Sequence, residues 1–354
     1  MAQSRMRFPL MALAMVAMLA ALWAGLVRLG WRWPPLQPTL PIAHGPLMVS
    51  GFLGTLIAVE RAVALRERWA YIGPAFSALG GLALIVGLRG MTGPLLITAG
   101  SLGLTIIFAV IIRRHPANYT YLMGAGALAW LVGNCLWLTG LPVFNVISWW
   151  GAFLILTIAG ERLELGRILR LSENAQLAFL GAIGIYIAGL IATLVTLDTG
   201  TRLYSFGMLA LALWLLRYDI ARKTISKEGL PRFAAACLLS GYVWLAGAGV
   251  MGMAFGGVMA GVRYDAFVHA IFLGFVFSMI FGHAPIIFPA VLGFNVSFNP
   301  VYYLHLVLLH LSLGLRIYGD LSIQPIIRLW GGLLNGVAVL LFVAVNAFTV
   351  MKRG

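Results

Sequence analysis

The sequence predicts an all-α membrane protein with twelve transmembrane helices in a single domain, residues 1–354. Of the 354 residues, 62% are hydrophobic and only 10% are charged, whereas soluble domains carry about 25% charged residues. The mean hydropathy is +0.98, and apolar stretches reach the roughly 20 residues that span a bilayer core. The loops between these stretches are short, so we expect no soluble domain.

The twelve spans are separated by proline, glycine and charge clusters, which end helices. The first span follows Arg5 and Arg7, as in a signal peptide, but its apolar core exceeds the ~7–15 residues of a signal, so we predict a retained helix. The predicted spans are residues 8–29, 43–65, 70–88, 93–112, 118–139, 144–165, 177–197, 202–218, 231–256, 264–288, 300–318 and 325–349.

The basic residues predict the orientation of the helices. With a cytoplasmic N-terminus, seventeen Lys and Arg residues lie on the inner side, including Arg5, Arg170, Lys352 and Arg353, and seven on the outer side. Because cytoplasmic loops are enriched in Lys and Arg, we expect a multi-pass protein of the bacterial inner membrane with both termini in the cytoplasm. The net charge of +14 then requires no nucleic-acid partner, and the expected surroundings are membrane lipid.

Cysteine chemistry is not expected to carry the function. Cys135 and Cys237 both lie in apolar stretches, and two cysteines are too few for a disulfide framework or a thiolate metal site. No phosphate-binding loop or nucleophile triad is present in the sequence. The candidates are therefore the ionisable residues inside spans, each of which costs roughly 2.5–3.5 kcal/mol to insert and so usually faces a partner, cavity or cofactor.

Three of the spans share a pattern that predicts an internal repeat. The second and sixth spans end in Glu60-Arg61 and Glu161-Arg162. In the tenth span Gly274-Phe275 aligns with Gly51-Phe52, which places His283 on Glu60 and His269 within two residues of His44. Three groups of four helices would explain the pattern, and accidental similarity is the alternative.

Two histidines are placed to hold a haem. His44 opens the second span from the outer side, and His269 lies just below the outer charges Arg263 and Asp265 of the tenth span. Imidazoles from two helices can supply both axial ligands of a haem iron suited to electron transfer. The alternative is a pair of hydrogen-bonded histidines without a cofactor.

The inner half carries a second group of ionisable residues. His283 and His305 are predicted at similar depth and could hold copper or another metal, since imidazole suits copper, iron and zinc. His310 lies five residues beyond His305, on a different helix face. The alternative for this group is a relay or ion pairs, Glu60 with Arg162 and Glu161 with Arg61.

Two segments resemble the NnrS family of haem- and copper-containing membrane proteins. They are Ile42-Ala-His44-Gly-Pro-Leu-Met-Val-Ser-Gly51-Phe52 and His269-Ala-Ile-Phe-Leu-Gly274-Phe-Val-Phe-Ser-Met-Ile-Phe-Gly282-His283. The resemblance implies a plan similar to haem-copper oxidase subunit I, with twelve helices in three groups of four. It also implies a low-spin haem b at His44 and His269, a second metal, copper, near His283 and His305, and a role in nitric oxide metabolism and nitrosative stress.

The leading hypothesis is therefore an NnrS-like inner-membrane haem protein that handles electrons or nitric oxide, with an electron donor as its partner. Whether it is an enzyme stays open, because an iron with two histidine ligands has no open coordination position. The competing hypothesis is a proton-coupled secondary transporter that uses the intramembrane Glu and His residues. A structural assembly factor without a cofactor is the third alternative. The sequence leaves the oligomeric state open.

Overall fold

The structure, a computed structural model, describes most of the chain. It describes the backbone of residues 2–169, 171–292 and 298–351, and the side chains of residues 6–169, 171–287 and 298–348. Three of the basic residues used to predict the orientation, Arg170, Lys352 and Arg353, lie outside this part of the chain, as does the side chain of Arg5. The predicted orientation, which uses these residues, therefore stays a prediction.

Helices occupy all of the predicted spans, with small differences at their ends. The first six are α1 (Ala2–Leu29), α2 (Leu40–Leu65), α3 (Ile72–Ile85), α4 (Thr92–Arg114), α5 (Asn118–Leu138) and α6 (Val143–Gly166). The next six are α7 (Glu173–Ala192), α8 (Leu197–Tyr218), α9 (Gly229–Phe255), α10 (262–292), α11 (Tyr302–Leu321) and α12 (Pro325–Met351). No strand occurs in the described residues, so the all-α prediction is confirmed.

Ten helices within the described residues are long and apolar enough to cross a membrane. The two others are α3, which has only 14 residues, and α8, whose charged residues Asp198, Arg202 and Arg217 lower its hydropathy. The structure is therefore that of a polytopic helical membrane protein.

The helices also expose apolar side chains along their length, as a lipid-facing surface requires. On α4 the exposed face includes Leu95, Leu102 and Ile106, and on α11 it includes Leu304 and Leu311. In water such continuous apolar faces would promote association or aggregation. In a bilayer they contact lipid tails, so this surface favours a membrane location.

Two helices contain a stretch of π-helix. In α2 it covers Leu47–Gly54, and in α10 it covers Ala270–Phe277. Each stretch has eight residues, with the Gly-Phe pair at its fifth and sixth positions. These are the helices that carry His44 and His269. Stretches of π-helix are rare and occur frequently at functional sites, so this feature separates α2 and α10 from the other described helices.

The chain divides into two compact units, Met1–Glu161 and Arg162–Gly354, and each is described by itself. In the first unit, α2 packs between α1 and α3, because Gly51 lies against Ala17 of α1 and Gly81 of α3. Trp130 of α5 lies against Gly54 of α2 and donates a hydrogen bond from Nε1 to Ser50 Oγ at 3.0 Å. The central part of α2 is therefore fully buried within this unit.

In the second unit, neighbouring helices also approach closely at glycines. Gly189 of α7 meets the backbone of Tyr204 in α8, and Gly207 of α8 meets the backbone of Tyr186 in α7. The charged side chains of α10, α11 and α12 lie close together: Arg316 of α11 contacts Asp265 of α10, and Arg328 of α12 contacts Asp320 of α11. This unit therefore holds both His269 and the charged residues that surround it.

Replacing Gly189 by alanine is expected to destabilise the α7–α8 contact by about 1–3 kcal/mol, the usual cost of overpacking. The new Cβ would overlap the backbone nitrogen of Tyr204, and backbone atoms cannot give way as a flexible side chain can. The matched control is Gly184→Ala on the same helix, where a Cβ meets nothing within 4 Å. Thermal unfolding in detergent should show a lower Tm for Gly189→Ala alone, and equal Tm values would contradict the contact.

Candidate functional site

His44 lies at the start of the α-helical part of α2 and its ring is placed against α1. Its Nδ1 is 2.7 Å from the backbone oxygen of Ala21. The ring fits because residue 25 is glycine: a Cβ there would lie 2.7 Å from His44 Cε1 and 2.8 Å from Nδ1. The side chain is thus held by a neighbouring helix rather than by its own.

His269 ends the first α-helical segment of α10, directly before the π-helical stretch. Its Nδ1 is 2.9 Å from the backbone oxygen of Asp265 and 3.3 Å from Asp265 Oδ1. The side chain is 16% exposed. It is therefore a mostly buried imidazole with an acceptor-rich environment at Nδ1.

These contacts decide which ring nitrogen of each histidine carries the proton. A carbonyl oxygen can only accept a hydrogen bond, so Nδ1 of both His44 and His269 donates. In the neutral imidazole Nε2 then carries the lone pair that a metal requires. Histidine ligands of metals commonly donate their other N–H to a backbone carbonyl or carboxylate in this way. Both residues fit the role of an axial haem ligand in this respect.

The two histidines predicted to hold copper lie in different surroundings. His305 of α11 is fully buried within four aromatic rings, with centroid distances of 4.7 Å to Phe281, 5.4 Å to Phe342, 5.8 Å to Tyr302 and 5.9 Å to Phe233. His283 lies two residues beyond Phe281, about 200° further around the helix. It therefore points away from His305, and its Nδ1 contacts the backbone oxygen of Met279 at 2.8 Å.

Among the described residues, no group of three or more His, Cys, Asp or Glu side chains is arranged to hold a metal ion. His310 accepts a hydrogen bond at Nδ1 from Trp244 Nε1 at 2.9 Å. Because the indole can only donate, the proton of neutral His310 is on Nε2. His310 is therefore held as a hydrogen-bond acceptor rather than as a ligand.

The Glu-Arg sequences at the ends of α2 and α6 form ion pairs. Arg61 Nη2 contacts Glu161 and lies 3.1 Å from Glu60 Oε1. Arg162, predicted to partner Glu60, forms a bidentate pair with Asp219, with Nε–Oδ2 at 2.8 Å and Nη2–Oδ1 at 3.0 Å. Its side chain is 3% exposed and that of Asp219 is 1% exposed. The predicted pair of Glu161 with Arg61 is therefore present, whereas Arg162 is bound by Asp219, a residue that the sequence did not suggest as its partner.

A cluster of charged residues in the second unit was not predicted as a site from the sequence. Arg316 binds the Asp265 carboxylate through Nε and Nη2, both at 2.9 Å, and Arg328 Nε lies 2.8 Å from Asp320 Oδ1. Asp320 is fully buried. Arg316 and Arg328 are two of the seven basic residues that were predicted to lie on the outer side. The overlooked signal was the scarcity of acidic residues, 10 in the chain, which makes each one in a helix a candidate partner for arginine.

Comparison with known proteins identifies the family. A family model described as a domain of unknown function, DUF8744, matches residues 7–351. The chain belongs to the DUF8744 family. The match begins in α1 and ends in α12, so the DUF8744 domain includes every helix that carries a candidate site residue. No curated protein and no solved structure matches the chain. The resemblance to the NnrS family rests on the two segments quoted above.

Proposed function

We propose that this DUF8744 protein is a haem-binding protein of the bacterial inner membrane, NnrS-like, in which His44 and His269 are the axial ligands of a low-spin haem b. Its proposed role is to carry electrons in nitric oxide or nitrosative-stress metabolism. The observation that carries the proposal is the common construction of α2 and α10. Each has a histidine with Nδ1 bound to a backbone carbonyl, followed by a π-helical stretch of eight residues.

The chemistry follows from which ring nitrogen of each imidazole carries the proton. Haem supplies a one-electron couple, and two histidine ligands leave its iron six-coordinate and suited to electron transfer. The Ala21 carbonyl orients the His44 ring, and the Asp265 carbonyl orients the His269 ring. With Nδ1 protonated, both residues present Nε2 as the ligand atom. Copper is not part of the proposal, because His283 and His305 point apart.

The topology is part of the same proposal. Twelve transmembrane helices, with both termini in the cytoplasm, follow from the distribution of Lys and Arg. The repeat of helices in three groups of four gains support from the π-helical stretches, since the Gly-Phe pair has the same position in both. Sequence alignment and local backbone conformation thus point to the same correspondence between α2 and α10.

A second function, proton-coupled transport, is favoured by the ionisable clusters within the helices. Asp265, Arg316, Asp320 and Arg328 form one such cluster, and Glu60, Arg61 and Glu161 form another. Ionisable residues inside a membrane often mark the pathway of a proton or substrate. The two functions differ in visible absorption: a haem protein absorbs visible light, whereas the transporter requires no coloured cofactor.

Visible spectra of the purified protein test the proposal. The protein is expressed with adequate haem supply, purified in mild detergent and examined before and after reduction with dithionite. We expect a Soret band and sharp α and β bands after reduction, with haem b released on extraction. A colourless, folded protein would overturn the haem function. The transporter function would then be tested by measuring proton uptake into proteoliposomes.

A further inference from the structure

The carboxylate of Asp265 lies beside the ring of His269. Asp265 Oδ1 is 3.3 Å from His269 Nδ1, the nitrogen that also donates to the Asp265 backbone oxygen. The N–H hydrogen bond of this imidazole thus goes to the backbone oxygen of Asp265, and the carboxylate of the same residue acts on the ring through its charge. The two residues are separated by one helical turn within α10, so the local geometry is fixed by the helix itself.

The position of the Asp265 carboxylate is fixed by a second helix. Arg316 of α11 holds both oxygens, Nε to Oδ2 and Nη2 to Oδ1, each at 2.9 Å. Bidentate arginine–carboxylate pairs combine strength with a defined geometry. The Arg316 side chain is 10% exposed and that of Asp265 is 15% exposed, so water screens the pair little. The carboxylate is thus held in a defined position beside His269.

Arg328 and Asp320 form a second ion pair next to Asp265. Arg328 of α12 lies 3.7 Å from Asp265 Oδ2 and 2.8 Å from the fully buried Asp320. Both arginines therefore lie beside the carboxylate of Asp265. A change in Asp265 alters the charge directly beside His269.

We propose that Asp265 is a positioning residue for His269, which orients the imidazole and increases its electron donation to a bound metal. The proposal rests on the haem function proposed above. A carboxylate that accepts the second N–H of a histidine ligand fixes the ring and raises the basicity of the ligating nitrogen. A more basic ligand stabilises ferric over ferrous haem, so Asp265 lowers the midpoint potential and Arg316 limits this effect.

The midpoint potential of the purified protein, measured by spectroelectrochemical titration, tests this role. Asp265→Asn keeps the size of the side chain and one acceptor oxygen for Arg316, but it removes the negative charge. We expect the ratio of oxidised to reduced haem at a fixed potential to fall by about tenfold, which corresponds to a midpoint potential about 59 mV higher for a one-electron couple. Arg316→Gln should shift the equilibrium in the opposite direction, because the carboxylate then loses its bidentate partner and only Arg328, 3.7 Å from Oδ2, still offsets its charge.

Opposite signs distinguish this role from a purely structural ion pair. A structural pair would lower the Tm in both variants without moving the potentials apart. The matched control is Asp198→Asn, which breaks the exposed pair of Asp198 with Arg202 and should leave the potential unchanged. Shifts of the same sign in Asp265→Asn and Arg316→Gln, or no shift in either, would overturn the inference. Absence of haem from the unaltered protein would instead overturn the proposed function.

Discussion

Replacing His44 by alanine is expected to abolish the low-spin haem spectrum. The imidazole lies against Gly25 with Nδ1 bound to the Ala21 carbonyl, and alanine offers no nitrogen in its place. An iron that loses one of two axial histidines cannot remain six-coordinate and low-spin through protein ligands alone. His269→Ala should have the same effect, because the proposal gives the two residues equivalent roles.

The reduced visible spectrum and the haem content measure this effect. His115→Ala is the matched control, since His115 is an exposed residue that follows α4, and its spectrum should equal that of the unaltered protein. Free imidazole added to His44→Ala or His269→Ala should restore the sharp α band by occupying the space of the lost ring. An unchanged spectrum in either alanine variant would exclude that residue as a ligand.

The second large effect is expected at the buried pair of Arg162 and Asp219. Replacing Arg162 by methionine should destabilise the protein by about 3–5 kcal/mol, because it leaves a buried carboxylate without its partner. Asp219 accepts two hydrogen bonds from Arg162 and one from the backbone nitrogen of Ala221 at 2.7 Å. Only the last of these three bonds would remain in the variant.

Unfolding in detergent measures this loss as a lower Tm and a smaller folded fraction at growth temperature. The double variant Arg162→Met/Asp219→Leu should recover much of the stability, since replacing both members of a buried pair is often neutral. Arg202→Met, which breaks an exposed pair with Asp198, serves as the control and should change the Tm little. A Tm equal to that of the unaltered protein would show that the buried pair contributes nothing.

The positions of the helices were predictable because a bilayer imposes a strong rule. Every span needs a long apolar stretch, and this chain marks the ends with residues such as Arg113-Arg114 and Gly140. Even α3, which has only 14 residues, and α8, whose charged residues lower its hydropathy, were found from their boundaries. The same boundaries also place His44 and His269 near the N-terminal ends of α2 and α10.

The remaining features depend on which helices become neighbours, and the sequence does not show this. The π-helical stretches have no distinct composition that would set them apart from the α-helix around them. The partner of Arg162 is Asp219, 57 residues away, although Glu60 seemed equally suitable by charge. His305 was assigned to a metal because it is ionisable, whereas Phe281 and three other rings enclose it.

The pair of Arg162 and Asp219 also has a consequence for biosynthesis. The ribosome makes Arg162 well before Asp219, because α7 and α8 lie between the two residues in the chain. Until then, the arginine at the end of α6 must remain in the aqueous or headgroup region, because its buried partner does not yet exist. Burial of Arg162 is thus a late step of assembly, and a nascent chain stalled before residue 219 would keep this guanidinium accessible to water.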